Sequence, residues 1–185
     1  MTTRDLGFVA LFAALIVALG LVPAVPLAGL PVPITLQSAG VMLAGLLLGP
    51  KRGTAAVAVV IALVGLGFPV LSGGRGGLAV WVGPTAGFLF GWLAAAFVAG
   101  TVAMRLDTEA HAPGVRLAGL IGGAILGGIV VLYAFGIAWL TFGAGFAFPK
   151  AFVGSMTFLP GDIAKALIAA FVTAQVRRAF RLERK

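Results

Sequence analysis

Phe158-Leu159-Pro160-Gly161-Asp162-Ile163-Ala164-Lys165-Ala166-Leu167 places an acid and a base three residues apart, where a long apolar segment begins. Residues at this spacing on a helix lie on the same face. Opposite charges at membrane depth are costly even when they pair, and such residues commonly serve binding or transport. We therefore interpret Asp162 and Lys165 as a buried polar site that binds a ligand. The alternative is a structural ion pair that only fixes helix packing.

Apolar residues dominate the rest of the chain. Of its 185 residues, 61% are hydrophobic and only 10% are charged, whereas soluble domains carry about 25% charged residues. A soluble fold of this size cannot hide so much apolar surface, so part of the solvent is lipid. Cysteine is absent, which excludes disulfides and thiolate chemistry. The single histidine, His111, lies in a polar stretch typical of a solvated loop, so no metal site is expected.

Six apolar segments are separated by proline-rich, glycine-rich or charged stretches. A membrane-spanning helix needs about 20 apolar residues, and the second and third segments are shorter than that. The prediction is an all-α membrane protein, with residues 1–185 forming one integral membrane domain of six helices. The predicted helices are Leu6–Val22, Thr35–Leu48, Thr54–Phe68, Leu78–Met104, Leu117–Phe142 and Phe152–Val176.

Basic residues predict how the bundle is oriented. If the N-terminus is cytoplasmic, ten of the thirteen basic residues fall on the cytoplasmic side, and only Arg75 and Lys150 fall outside. The positive-inside rule therefore places both termini in the cytoplasm. Residues 177–185, which include five basic side chains, are predicted to form a cytoplasmic tail on the anionic membrane surface. This arrangement does not favour binding to nucleic acid.

Other polar and aromatic residues are candidates for the same site. The orientation places Asp162, Lys165 and Arg75 near the external face. Arg75 stands among four glycines, and the spacing does not decide between a flexible loop and a lid whose guanidinium binds a carboxylate. Gln37 fits either a ligand contact or a hydrogen bond between helices. Trp81, Trp92, Tyr133 and Trp139 fit either pocket walls or interfacial belts. Trp81, Tyr133 and Trp139 are the better pocket candidates because they lie in the outer halves of their predicted helices.

Stripes of small residues run along three of the predicted helices. Such stripes let helices approach closely, and most must serve packing inside the bundle, whereas an exposed one could serve a partner helix. They are Ala10, Ala14 and Ala18; Gly83, Gly87 and Gly91; and Gly119, Gly123 and Gly127.

No reactive constellation emerges from the sequence. A catalytic dyad, paired membrane acids and a nucleotide-binding motif are all missing, and Asp162 is the one acid at membrane depth. We therefore predict no catalytic residues, no cofactor and no enzymatic activity.

Five co-linear motifs resemble the BioY family, the biotin-binding S components of energy-coupling factor (ECF) transporters. The resemblance covers nearly the whole chain, and Ser38 and Ala86 are small departures from the family pattern. The motifs are Val32–Gln37, Gly40–Pro50, Gly67–Gly77, Gly83–Gly87 and Leu159–Lys165.

The resemblance implies a six-helix protein of the prokaryotic cell membrane that captures biotin from outside. A membrane T component and two ATPase subunits would supply the energy for import. Family members contact the T component through small residues of the first helix, which here are Ala10, Ala14 and Ala18.

Biotin also fits the residues singled out above. Asp162 would accept hydrogen bonds from the ureido N–H groups and Lys165 would donate to the ureido carbonyl. Arg75 would bind the valerate carboxylate, although Lys165 and Arg75 could exchange roles. Gln37, Trp81, Tyr133 and Trp139 are further candidates for the pocket. The alternatives are an S component for another small vitamin, a proton-coupled secondary carrier and a non-transporting scaffold.

Overall fold

The computed structural model describes residues 1–27, 30–106 and 111–180. Within these residues the chain is a helical bundle with one short β-ribbon. The elements are α1 Thr3–Gly20, β1 Val25–Leu27, β2 Leu30–Ile34, α2 Gln37–Gly65, α3 Ala79–Val82, α4 Ala86–Leu106, α5 Pro113–Ile125, a π-helical stretch Leu126–Val131, α6 Leu132–Phe142, α7 Phe148–Met156 and α8 Leu159–Phe180.

Helix α2 is a hairpin of two arms, residues 37–48 and 50–65. The backbone leaves the helical region at Gly49, with φ 81° and ψ 178°. A side chain would strain this left-handed conformation, so glycine suits the reversal, and Pro50 restarts the helix. The backbone of Gly53 lies directly against Ala44 and Gly45, which shows that the two arms pack side by side.

When the two arms of α2 are counted separately, the described residues contain six helical segments that match the predicted spans, besides the short helices α3 and α7. Within the described part of the chain, five helices are long and apolar enough to cross a membrane, but α2 is counted once among them although its chain turns back at Gly49. The prediction of an all-α membrane protein is confirmed. Its six segments correspond to α1, the two arms of α2, α4, the continuous rod from α5 to α6, and α8.

The first arm of α2 is enclosed by protein. Residues 37, 38, 40–42 and 44–46 are all buried, and α1, α4 and α8 contact α2. This arm rises only about 18 Å, at 1.5 Å per residue. Its neighbours therefore shield it from lipid, which explains how so short a segment is tolerated.

Two of the predicted boundaries differ from the structure by more than about four residues, whereas the other differences are smaller. The fourth span begins at Ala86 rather than Leu78, because Gly83 and Pro84 interrupt the chain after the single turn of α3. The sixth span begins at Leu159 rather than Phe152, which belongs to the separate helix α7.

The sequence did not predict the β-ribbon between α1 and α2. It indicated only that the prolines in this stretch break a helix. Strands β1 and β2 pair antiparallel, with Val25 opposite Ile34 and Leu27 opposite Leu30. In a two-stranded ribbon both strands are edges, so prolines can sit where no partner needs their missing N–H. The ribbon leads directly into the first arm of α2.

Several charged residues meet at one end of the bundle. Arg52 Nη1 lies 2.9 Å from Asp5 Oδ1, so the start of α1 meets the turn of α2. Arg177 donates to the carbonyl of Leu46 in the same region, and Gly100 approaches Gly49 and Pro50. We call this the basic end. Of the predicted tail at residues 177–185, residues 181–185 lie outside the described residues.

Candidate functional site

Helix α8 brings Asp162 and Lys165 together at the opposite end of the bundle. The helix begins at Leu159, and Pro160 suits this first turn because its ring fixes φ near the helical value. Asp162 lies in the same turn, where the helix dipole favours a negative charge. Lys165 Nζ lies 2.8 Å from Asp162 Oδ1, and both side chains are less than one-tenth exposed. The predicted buried pair is therefore formed.

Lys165 uses all three of its N–H donors. Besides Asp162, its ammonium donates to the carbonyl oxygen of Thr35 at 2.7 Å and to Ser38 Oγ at 3.2 Å. Thr35 and Ser38 stand at the junction of β2 and α2, so Lys165 joins α8 to that junction. A ligand that accepts a hydrogen bond from Lys165 must share or replace one of these partners.

The carboxylate of Asp162 can accept more hydrogen bonds than the two that it receives from the protein. Its Oδ2 accepts a 2.7 Å hydrogen bond from the hydroxyl of Tyr133, and Oδ1 accepts the bond from Lys165. A carboxylate offers about four lone-pair sites. Asp162 can therefore accept further N–H donors without losing either neighbour.

A cavity of about 70 Å³ lies beside the pair. This is several times the space that one water molecule needs. Its polar residues lie among apolar and aromatic walls, and the rings of Phe88 and Tyr133 both meet Phe158 edge to face. An apolar enclosure with a few convergent polar groups is the usual form of a small-molecule site. The lining residues are Val32, Pro33, Ile34, Thr35, Gln37, Ser38, Leu71, Arg75, Thr85, Phe88, Leu89, Trp92, Leu132, Tyr133, Phe158, Asp162 and Lys165.

Arg75 reaches the cavity from an ordered turn. Leu71 and Arg75 exchange both backbone hydrogen bonds, and positive φ angles at Gly73 and Gly74 close the turn between them. Arg75 Nε donates to the carbonyl of Ser72 at 3.1 Å. Partial burial lowers the pKa of Arg75 from its usual value, but a guanidinium remains protonated at neutral pH. The turn therefore presents a fixed positive charge to the cavity.

Gln37 lines the cavity, but its amide is already engaged. It donates to the carbonyls of Ile16 at 3.2 Å and Val70 at 3.0 Å, and it accepts from the N–H of Ser72 at 3.0 Å. These bonds fasten α1 and the Arg75 turn to the start of α2. Of the two alternatives for Gln37, a ligand contact or a hydrogen bond between helices, the structure shows the hydrogen bond between helices.

Trp81 and Trp139 lie outside the cavity, contrary to their place among the pocket candidates. Trp139 Nε1 donates to the carbonyl of Gly83 at 2.9 Å. The ring of Phe90 lies 5.3 Å from that of Trp81 and 6.2 Å from that of Trp139. The two tryptophans therefore belong to an aromatic cluster on another face of α4.

The cavity wall includes residues that were not among the predicted site residues. Phe88, Leu89 and Trp92 of α4 line the cavity at three- and four-residue spacings, which place them on one face of the helix, and Thr85 lines it just before α4 begins. That spacing was a usable signal for them. Trp92 ranks below the other aromatic candidates in the sequence-based prediction, because it does not lie in the outer half of its predicted helix, yet it lines the cavity.

Of the three small-residue stripes, the one on α1 is exposed. Ala10, Ala14 and Ala18 all face outward. In contrast, Gly87 lies against Trp139, and Gly123 lies against Ala99. The helical glycines of these two stripes thus serve packing inside the bundle, whereas Gly83 lies before α4, at the end of α3.

A protein-family model described as the BioY family matches residues 1–182. The chain belongs to the BioY family. This confirms the resemblance that the five motifs indicated.

Individual relatives cover the chain almost completely. "Biotin transporter BioY" of Rhizobium etli is 56% identical over 93% of this chain and 92% of its own length. The protein of the same name from Rhodobacter capsulatus is 50% identical over 94% of this chain and 93% of its own length.

A solved structure with a similar sequence has the same fold. It is described as the S-component for biotin from an ECF-type ABC transporter, with a TM-score of 0.88 and 34% identity. The match covers 96% of this chain and 95% of that one. The helical bundle described above is therefore the architecture of a BioY-family membrane protein.

Proposed function

We propose that this protein captures biotin and serves as the substrate-binding subunit of an ECF-type importer. The observation that carries this proposal is the buried Asp162–Lys165 pair in the wall of a cavity, in a chain of the BioY family. Relatives that match over nearly their full length are named biotin transporters.

The chemistry of biotin suits the residues that line the cavity. Its ureido ring has two N–H donors, which Asp162 would accept with its remaining lone pairs. The ureido carbonyl would take a hydrogen bond from Lys165 in place of Thr35 or Ser38. The apolar bicycle would lie against Phe88, Trp92 and other apolar walls.

Arg75 is the natural partner of the valerate carboxylate. Among the described residues that line the cavity, it is the one with a positive charge besides Lys165, and Lys165 is already bonded to Asp162. A guanidinium binds a carboxylate through two parallel hydrogen bonds. We assign the ureido carbonyl to Lys165 and the carboxylate to Arg75 for this reason.

We infer that the protein lies in the prokaryotic cell membrane, with the basic end in the cytoplasm. The positive-inside rule supports this orientation, and the cavity then lies toward the outside, where a nutrient is captured. The chain itself is inferred to have no enzymatic activity. A T component and two ATPase subunits would supply the energy for release into the cell.

Calorimetry of the detergent-purified protein tests the proposal. Titration with biotin is expected to show saturable binding to one site per chain, and thiamine and riboflavin should not compete. Absence of any biotin heat would refute the assignment. Competition by another vitamin would instead identify an S component of different specificity.

Uptake by cells without the ATPase subunits separates an importer subunit from a proton-coupled carrier. Concentrative uptake that persists without them and collapses with the proton gradient would favour the carrier. We expect concentrative uptake only when the ATPase subunits and the T component are present.

Ala14→Leu is expected to prevent association with the T component without affecting biotin binding. Ala14 lies in the middle of the exposed stripe on α1, and a larger side chain would hold a partner helix away. Co-purification of the tagged T component is expected to fall at least tenfold, because lost packing of about 1.4 kcal/mol lowers affinity by that factor.

Ala118→Leu provides the matched control, because Ala118 is also an exposed helical alanine but lies on α5. It should leave co-purification unchanged. Equal co-purification of the two variants would contradict a role for the α1 stripe.

A further inference from the structure

A second groove lies at the basic end of the bundle, between the start of α5 and the end of α8. Its volume is about 510 Å³, and none of the described residues that line it also lines the cavity beside Asp162. Arg116, Arg177 and Arg178 line it together with apolar residues. We call it the arginine groove.

The charge of the arginine groove favours an anion. Three of its lining residues are arginines, and none of the described residues that line it is acidic. Arg177 is 8% exposed and donates from one nitrogen to the carbonyl of Leu46.

The start of α5 adds backbone donors to the same groove. Pro113 and Gly114 line it and form the first turn of a 13-residue helix without a side-chain cap. The N–H groups of a first helical turn have no partner within the helix and attract anions. The helix terminus and the three arginines therefore favour the same sign of charge.

The polarity of the arginine groove changes with depth. Helix α5 enters the bundle at Pro113, so Leu117 and Leu120 lie deeper than Arg116. Helix α8 leaves the bundle at this end, so Phe171 lies deeper than Arg177 and Arg178. Both helices thus place arginines nearer the end of the bundle and apolar side chains deeper, and Phe171 is half exposed.

We propose that the arginine groove binds an anionic phospholipid. The phosphate would lie among the arginines, and an acyl chain would follow Leu117 and Phe171 along the surface of the bundle. Basic pockets between membrane helices commonly hold lipid headgroups in this way. A soluble anion would use the arginines but would gain nothing from the apolar floor.

Native mass spectrometry of the protein in mixed micelles tests this site. The probes are dioleoyl phosphatidylglycerol and dioleoyl phosphatidylcholine at equal concentration. The protein is expected to retain phosphatidylglycerol in preference. The double variant R116Q/R178Q should lower that retention roughly thirtyfold, as the loss of two arginine contacts predicts.

The double variant K51Q/R105Q is the matched control. Lys51 and Arg105 belong to the same end, carry the same total charge and are exposed outside the groove. Because charges on an open surface are screened by salt, this variant should lower retention by no more than about threefold. An equal loss in the two double variants would refute a defined lipid site.

Two further results would also overturn the proposal. Displacement of phosphatidylglycerol by glycerol phosphate at the same concentration would mean that the anion alone is bound. Unchanged lipid retention in R116Q/R178Q, with loss of the T component, would mean that the groove binds a protein surface. Biotin titration of both double variants should be unaffected, which confirms that they are folded.

Discussion

Asp162→Asn is expected to weaken biotin binding about a hundredfold or more. The substitution removes the negative charge that accepts the ureido N–H groups, and hydrogen bonds to charged groups contribute about 1.5–3 kcal/mol each. Calorimetric titration of the purified variant measures the loss. Unchanged affinity would refute the assignment of Asp162 to the ureido ring.

The same substitution should also destabilise the protein, because it leaves Lys165 charged and buried without its counter-ion. Breaking a buried pair typically costs about 3–5 kcal/mol. The double variant D162N/K165M removes both charges, so its thermal stability should recover toward that of the unchanged protein. Binding should remain lost in the double variant, which separates ligand recognition from folding.

Asp5→Asn is the control for charge. It breaks an acid–base contact with Arg52 at the opposite end of the bundle, far from the cavity. Biotin affinity should be the same as in the unchanged protein.

Gly100→Val is expected to disrupt the packing of α4 against the α2 hairpin. A β-carbon at Gly100 would lie within 3 Å of backbone atoms of Gly45, Gly49 and Pro50. Backbone at a turn cannot move aside as a flexible side chain can, so the helices must separate. Overpacking of this kind costs about 3 kcal/mol, and the variant should show a lower melting temperature and a larger aggregated fraction in size-exclusion chromatography.

Gly122→Val is the matched control for this prediction. Gly122 is also a helical glycine, but nothing lies within 4 Å of the position that its β-carbon would take. It should therefore keep nearly normal stability. Equal destabilisation of both variants would point to helix propensity rather than to the contact at Gly100.

The parts of the site that the sequence predicts are those marked by charge. Asp162 and Lys165 stand out because ionised groups in an apolar helix are rare, and their spacing alone places them on one face. Arg75 stands out for the same reason. The structure places all three in the wall of one cavity.

The partners of Lys165 could not be predicted in the same way. One is the backbone carbonyl of Thr35, a group that every residue carries, at a separation of 130 residues. The β-ribbon was also missed, because its prolines usually end regular structure and are tolerated here only at the edges of a two-stranded sheet.

Aromatic residues were the least predictable, since depth in the membrane does not tell which side of a helix meets a cavity. Tyr133 lines the cavity and bonds to Asp162, whereas Trp81 and Trp139 lie elsewhere. The direction in which a helix turns each side chain depends on its neighbours. Trp81 also lies on the short helix α3, which is separate from α4.

Helix α8 and the first arm of α2 are joined at two levels. Lys165 bonds to Ser38 near the cavity, and Arg177 bonds to Leu46 at the basic end. The two levels lie about 18 Å apart along α8, at 1.5 Å per residue. Two helices that are hydrogen-bonded at both levels cannot shift along each other, whereas two helices bonded at one level can rotate about that contact. A ligand that replaces the partners of Lys165 would therefore let α8 and the first arm of α2 separate at the cavity, while the bond of Arg177 holds them together at the basic end.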